Sequence, residues 1–187
     1  MKLSIIIPTV GRDSLQATLE SVVSQTHRVG PDADEVLVIG GPGAAVAPYA
    51  DAGCRHLPCP PGGDWGCVER TKGIAAATGT HLAFIDDDDV WVPGARLALA
   101  HAMADWPDRL ALFRMRYRKD GAILWDKPVL RVGNVSTQMI LVPNDPARLG
   151  RWTTRREGDF DFISSCQWPE QAIAWYDNVI AEIGRRR

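Results

Sequence analysis

Short, continuous apolar runs alternate with helical periodicity along the first half of the chain. Residues 3–7, closed by Pro8, and residues 35–39 are rich in Ile, Leu and Val, which is typical of buried parallel strands. Between them, apolar residues recur at helical spacing after Asp13 and Ser14, whose side chains could cap a helix. This strand, helix, strand order predicts a right-handed crossover unit.

The same alternation continues further along. A short strand is predicted near residues 55–57, a Pro- and Gly-rich loop over 58–63 and a helix over about 65–77. Residues 82–85 then form an apolar strand that runs directly into Asp86, Asp87, Asp88 and Asp89. Pro93 is suited to the first position of the next helix, which should end before Pro107.

The second half has a different character. Four short strands are predicted, with no full helices between them, over residues 110–117, 123–125, 129–132 and 137–142. From Pro169 onward, an apolar stripe at helical spacing predicts a closing helix; its members are Ala172, Ile173, Tyr176, Val179, Ile180 and Ile183. The pattern therefore predicts an α/β domain with a mostly parallel, Rossmann-like sheet flanked by helices and an antiparallel addition in the second half.

Composition narrows the choice of partners. The chain has 187 residues, a net charge of -2 and 45% hydrophobic residues, which fits one ordinary globular domain and gives no reason to expect nucleic-acid binding. Its apolar runs are far shorter than the ~20 residues that span a bilayer. Because nothing resembles a secretory leader and the cysteines form no CxxC pair, we expect a cytoplasmic protein. The three arginines at 185–187 are expected to be a solvated tail.

Two clusters could bind metal. Cys54, His56 and Cys59 lack the paired spacing of structural zinc sites, so we do not expect zinc there. The aspartates at 86–89 follow a buried strand, and ligands of open α/β sheets bind at the carboxyl ends of strands. Adjacent carboxylates repel one another, and a hard divalent cation, Mg²⁺ or Mn²⁺, would offset that cost while taking further ligands from a diphosphate. A solvated turn is the alternative interpretation.

Three segments together resemble the inverting family 2 glycosyltransferases: residues 3–9, 69–79 and 82–89, in the family's order. The resemblance implies one GT-A domain over 1–187, with a nucleotide-binding half over about 1–105 and an acceptor and catalytic-base half over about 106–187. It also implies a nucleoside-diphosphate sugar, with UDP favoured, as donor. The sugar would pass with inversion to the hydroxyl of an unknown acceptor.

The family's motifs also imply roles for individual residues. By that resemblance Pro8, Thr9 and Arg12 meet the nucleoside, and Arg70 contacts the diphosphate. In the family's Asp-x-Asp-Asp motif Asp86 faces the ribose, Asp87 is the variable member of the nucleotide loop, Asp88 is the best metal ligand and Asp89 a weaker one.

One departure concerns the base. The family's second strand usually ends in an acid that contacts it, whereas here Gly40 begins a Gly-Gly-Pro-Gly turn. Gly40 either lets the backbone approach the nucleoside or serves only the turn.

The acceptor's proton requires a base, and Glu157-Gly158-Asp159-Phe160-Asp161 resembles the family's base motif. Asp159 is the first choice, Asp161 the second and Glu157 the third. Simple capping of a helix is the alternative role.

Other candidates are less specific. The polar segment 133–138 could contact donor sugar or acceptor. Sugar-stacking platforms could come from four tryptophans, although core packing explains each of them as well: Trp65, Trp125, Trp152 and Trp168.

Two other functions are compatible with these residues. A nucleotidyltransferase would normally carry a glycine-rich phosphate loop after the first strand, and residues 8–12 match it poorly. A non-catalytic nucleotide-sugar-binding module of the same fold is the second alternative. Because few residues follow Asp159, a partner subunit, self-association or a small acceptor is expected to complete the acceptor side.

Overall fold

The computed structural model describes residues 1–60, 62 and 64–184. Within them lie one nine-stranded sheet and four α-helices. In chain order these are β1 (Leu3–Pro8), α1 (Leu15–Val23), β2 (Glu35–Ile39), β3 (Cys54–Leu57), α2 (Cys67–Ala76), β4 (His81–Phe84), β5 (Val90–Trp91), α3 (Ala95–Asp105), β6 (Ala111–Tyr117), β7 (Ile123–Leu124), β8 (Ile140–Pro143), α4 (Gly158–Ser165) and β9 (Ala174–Ile183). Short 3-10 turns cover Gly43–Ala45, Ala47–Ala52, Thr137–Met139 and Glu170–Ala172.

The sheet is parallel at one side and mixed at the other, as the sequence predicts. Its strand order is β3-β2-β1-β4-β8-β6-β9-β5, with β7 paired to β6. β3, β2, β1 and β4 are mutually parallel, β8 is antiparallel to both β4 and β6, and β9 is parallel to β6. The carboxyl ends of β1, β2, β4, β6 and β9 therefore share one edge of the sheet.

Both faces of the sheet are covered, which explains why its central strands are apolar without alternation. Ile5 and Ile7 of β1 belong to the core beneath α1 and α3, whereas Ile6 belongs to the core beneath α2 and α4. All six residues of β1 are buried. Continuous apolar runs are what a two-sided core requires.

The predicted closing helix is wrong. Residues 174–183 form β9, which pairs with β6 along one edge and β5 along the other. Short apolar stripes do not separate helix from strand by periodicity alone, and the two partner strands here decide for the strand.

Other local predictions differ in smaller ways. Residues 129–132 are not a strand but part of a loop whose carbonyls, on Lys127 and Val129, accept hydrogen bonds from Asn134. α3 begins at Ala95 rather than at Pro93, because Gly94 adopts a left-handed conformation before it. Ser14 precedes α1 without a side-chain capping bond.

A buried ion pair joins the amino end of β1 to α3. The Asp34 carboxylate accepts hydrogen bonds from the backbone N–H groups of Leu3 (3.0 Å) and His27 (2.8 Å) and from Arg96 Nε (2.7 Å) and Nη2 (3.0 Å). Its side chain is fully buried. Removing one partner of such a pair leaves a charge without compensation.

We therefore expect Arg96→Met to lower the free energy of unfolding by about 3 kcal/mol in urea titrations, because Asp34 stays buried with only its two backbone donors. Arg118→Met is the control, since Arg118 is half-exposed and lies 3.7 Å from Glu182. That change should cost less than about 1 kcal/mol. Equal losses in the two variants would contradict a special role for the buried pair.

Candidate nucleotide and metal site

The acidic loop leaves β4 at the centre of the shared carboxyl edge. The Ile85 N–H continues the β4 pairing by donating to Ile6 O (3.2 Å), and the Asp89 N–H then turns back to Asp86 O (3.2 Å). This tight turn directs the four neighbouring carboxylates to different surroundings. The four side chains differ in their hydrogen-bond partners and in how much of each is exposed to solvent.

Asp87 fastens the loop that follows β1. Its buried carboxylate accepts hydrogen bonds from Thr9 Oγ1 (2.6 Å) and the Val10 N–H (3.3 Å), and it pairs with Arg12. Thr9 and Arg12, predicted to meet the nucleoside, thus lie beside the acidic loop. Asp87, also predicted to bind nucleotide, turns away from solvent and acts on the neighbouring loop.

Asp86 lies between a cation and an amide. Arg70 of α2 pairs with its Oδ1, and Gln138 Nε2 donates to its Oδ2 (3.0 Å). The Arg70 guanidinium also donates to Trp65 O (2.6 Å) and lies over the Trp152 ring, 4.7 Å from its centroid. Arg70 is nearly buried, so these contacts hold its charge at the edge of the sheet.

Asp89 is held from the second half of the chain. Gln138 Nε2 donates to its Oδ2 and the Gly184 N–H to its Oδ1 (2.7 Å). Burial, reinforced by the Asp86 charge, raises the pKa of Asp89 to about 8. A Cβ at Gly184 would overlap the carbonyl oxygen of Asp88, so the backbone after β9 approaches this loop more closely than a side chain permits.

Asp88 is the most open of the four acids, with 28% of its side chain exposed. Arg12 Nη1 lies 3.8 Å from its Oδ2. Burial raises the pKa of Asp88, although the Arg12 charge acts in the opposite direction. A raised pKa marks a carboxylate that would gain from a second positive charge.

Three of these carboxylates could hold a cation together. One oxygen each from Asp86, Asp88 and Asp89 lies within 4.8 Å of the others. Hard oxygen donors at one solvent-facing edge suit Mg²⁺ or Mn²⁺. Among the described residues this is the one group of His, Cys, Asp or Glu side chains with such geometry, so the zinc interpretation of Cys54, His56 and Cys59 gains no support.

Gly40 directly follows β2 at the carboxyl edge of the sheet, next to the loop after β1. Its φ of +92° lies in the left-handed region, and a Cβ there would overlap Thr9 O. His56 Nε2 lies 3.1 Å from both Gly40 O and Gly41 O, which makes it the donor to this turn. Glycine is therefore required here for close backbone approach as well as for the turn.

The predicted base residues lie in the first turn of α4. Asp161 accepts from Thr153 Oγ1 (2.5 Å) and lies 3.4 Å from Arg155 Nη1, so it has local partners. Asp159 Oδ1 accepts the Phe160 N–H (2.8 Å). Glu157 lies 3.5 Å from Arg155. α4 contacts the surroundings of Asp86 through Phe162, whose ring stacks on Trp152, and Arg70 lies over that same Trp152 ring.

Burial separates the predicted stacking platforms. Trp125, Trp152 and Trp168 are buried, whereas Trp65 is 62% exposed. Trp65 also has a φ of +61°, which is rare for a bulky residue. Of these four, Trp65 is the ring that remains open to a ligand.

Two contributors to the site could not be identified from the sequence. Gln138 belongs to the polar segment considered for sugar or acceptor contact, and in the structure it bridges Asp86 and Asp89. Gly184, whose N–H donates to Asp89, belongs to no predicted motif.

Comparison with known proteins gives the family. The model described as "Glycosyl transferase family 2" matches residues 4–163, so the chain belongs to that family. Curated proteins yield no match to this sequence. Within the described residues, no helix is long and apolar enough to cross a membrane.

Solved structures share the fold, which is of the GT-A type. A crystal structure of S. aureus TarS 1-349 superposes with a TM-score of 0.74 at 14% identity, over 98% of this chain and 60% of that one. Its complex with UDP-GlcNAc gives 0.73 at 14% identity, over 100% and 59%. The mannosyltransferase PcManGT from Pyrobaculum calidifontis, in complex with GDP-Man and Mn2+, gives 0.67 at 16% identity, over 99% and 57%. The chain thus spans about three fifths of the length of these proteins.

The bridging amide provides a test of the site's construction. Gln138→Leu should lower the free energy of unfolding by about 2 kcal/mol, because a buried Asp89 oxygen and a part-buried Asp86 oxygen lose their donor. Gln138→Glu should cost more at a pH about one unit above the Asp89 pKa of about 8, since it then adds a third negative charge beside the ionised Asp86 and Asp89. Urea titrations in EDTA would measure both. Equal losses would indicate that the side chain only fills space.

Proposed function

We propose that the protein transfers a sugar from a nucleoside-diphosphate sugar to an acceptor hydroxyl, with a divalent cation and with inversion at the anomeric carbon. The observation that carries the proposal is the convergence of Asp86, Asp88 and Asp89 within 4.8 Å at the carboxyl edge, flanked by Arg12 and Arg70. Alternating charges of this kind suit a pyrophosphate with its counter-cation. Membership of family 2 supports the same activity.

The donor side would bind the diphosphate through charge. Arg12 is half-exposed and can exchange its contact with Asp88 for a phosphate oxygen. Arg70 is held at the carboxyl edge of the sheet by Asp86 and by Trp65 O. Asp88 and Asp86 would hold the cation, with Asp89 behind them. When bound, Mn²⁺ or Mg²⁺ would neutralise the departing nucleoside diphosphate. UDP is the favoured nucleotide, in line with the UDP-GlcNAc complex of TarS.

The acceptor side would supply the base. In an inverting displacement, the acceptor oxygen attacks the anomeric carbon from the face opposite the leaving diphosphate, and a carboxylate takes its proton. Asp159 is the proposed base because segment 157–161 resembles the base motif of the family, in which Asp159 takes the place of the base. The first turn of α4 favours an ionised carboxylate at this position.

A nucleotidyltransferase is disfavoured by the loop after β1. Asp87 fixes that loop through Thr9 and Val10, and the loop carries none of the glycine-rich backbone that cradles phosphates in such enzymes. A non-catalytic module of the same fold would bind donor without turnover. Donor hydrolysis and transfer assays beside binding measurements separate the two functions.

The cation site is tested with Asp88→Asn. We expect Mn²⁺-dependent UDP binding, measured by isothermal titration calorimetry, to weaken at least about tenfold, because the most open ligand loses its charge. Asp177→Asn is the control, since its side chain is 82% exposed in a surface pair with Arg114. Unchanged affinity in Asp88→Asn, with a normal melting temperature, would refute the assigned cation site.

The base is tested with Asp159→Asn. We expect kcat for transfer to fall by about 10²-fold or more while the Kd of the donor stays unchanged, because only proton transfer is affected. Asp161→Asn is the matched variant on the same helix and should affect stability more than kcat. The opposite pattern would move the role of base to Asp161.

A further inference from the structure

Glu69 is a buried acid without an evident structural reason. It lies in the first turn of α2 with 3% of its surface exposed, and its Oε2 atom is buried with no hydrogen-bond partner among the described residues. Buried carboxylate oxygens are nearly always hydrogen-bonded, since desolvation without a partner is costly. Within the described residues, no cationic side chain forms an ion pair with Glu69.

Glu69 lies near the carboxyl ends of β1 and β2. Gly73, one turn further along α2, packs against Ile6 and Ile39, so Glu69 lies on the same face and one turn nearer the carboxyl edge. A Cβ built on Gly40 would lie 3.5 Å from Glu69 Cγ. The backbone that follows β2 therefore lies beside the Glu69 side chain, with no side chain of residue 40 between them.

The adjacent residue connects Glu69 to the phosphate side. Arg70 follows it in α2 and pairs with Asp86, next to the proposed cation ligands. A nucleotide whose diphosphate is held at Arg70 and at a cation on Asp88 would extend toward the carboxyl ends of β1 and β2, at Pro8 and Ile39. The group that reaches this region is the nucleoside.

We propose that Glu69 reads the nucleobase of the donor by accepting a hydrogen bond from a ring N–H group. Uracil and guanine carry such a group on their pairing edge, whereas the corresponding ring nitrogens of cytosine and adenine are acceptors and would repel a carboxylate. Discrimination through a buried charged acceptor is strong because the wrong base leaves it unpaired. This assignment rests on the proposed donor binding at the same site.

The test is calorimetry with Mn²⁺ and five probes: UDP, GDP, CDP, ADP and ribose 5-diphosphate. Wild-type protein should bind UDP or GDP at least about tenfold more tightly than CDP and ADP, as expected for one charged hydrogen bond. In Glu69→Met this preference should disappear, and in Glu69→Gln it should shrink, because a neutral amide oxygen accepts more weakly and its NH2 group can donate to the other bases. Affinity for ribose 5-diphosphate should stay unchanged in both variants. Glu35→Gln is the matched control, since Glu35 is equally buried but bonded to Ser4 and Thr78 at the opposite edge.

Stability separates base reading from a structural role. Because Oε2 has no partner, Glu69→Met should leave the melting temperature unchanged or raise it, whereas a structural carboxylate would lower it. Equal binding of all four nucleotides by the wild type, or an equal loss for ribose 5-diphosphate in Glu69→Gln, would overturn the proposal. If no probe binds the wild type, the donor site itself fails, which is a distinct result.

Discussion

Repulsion among four consecutive carboxylates is the constraint on which the rest of this site depends. Asp86 to Asp89 follow one another at the end of a buried strand, where each charge loses part of its hydration. The protein offsets this repulsion with donors and cations from segments far apart in the sequence, some of which serve two of the acids.

Those partners tie the acidic loop to the architecture of the whole sheet. Asp87 holds the loop after β1, Asp86 joins α2 to the segment before β8, and Asp89 receives the backbone that leaves β9. Asp88 remains the accessible member. The surroundings of the acidic loop therefore come from both halves of the chain, because Gln138 and Gly184 lie beyond residue 105.

The sequence predicts the parallel half of the fold well and the second half in part, with β6, β7 and β8 near their predicted places. Residues buried on both faces give continuous apolar strands, as in β1 and β2, and the acidic run after β4 marks the edge at which ligands bind. β9 was mistaken for a helix because its identity depends on pairing with β6 and β5, which no local pattern encodes. The role of Gln138 could not be predicted for a related reason, since it depends on two carboxylates that lie about fifty positions away in the sequence.

The position of β9 affects how the protein folds while it is being synthesised. β9 is the last of the described strands in sequence, but it lies between β6 and β5. Until it is synthesised, β5 lacks its partner strand and the Asp89 carboxylate lacks the Gly184 donor. A fragment cut after residue 163, where the family match ends, would retain every candidate catalytic and nucleotide-binding residue predicted from motifs, yet lack this strand. Such a truncation should populate collapsed species that associate, because the unpaired N–H and C=O groups of an open strand edge can pair with another chain.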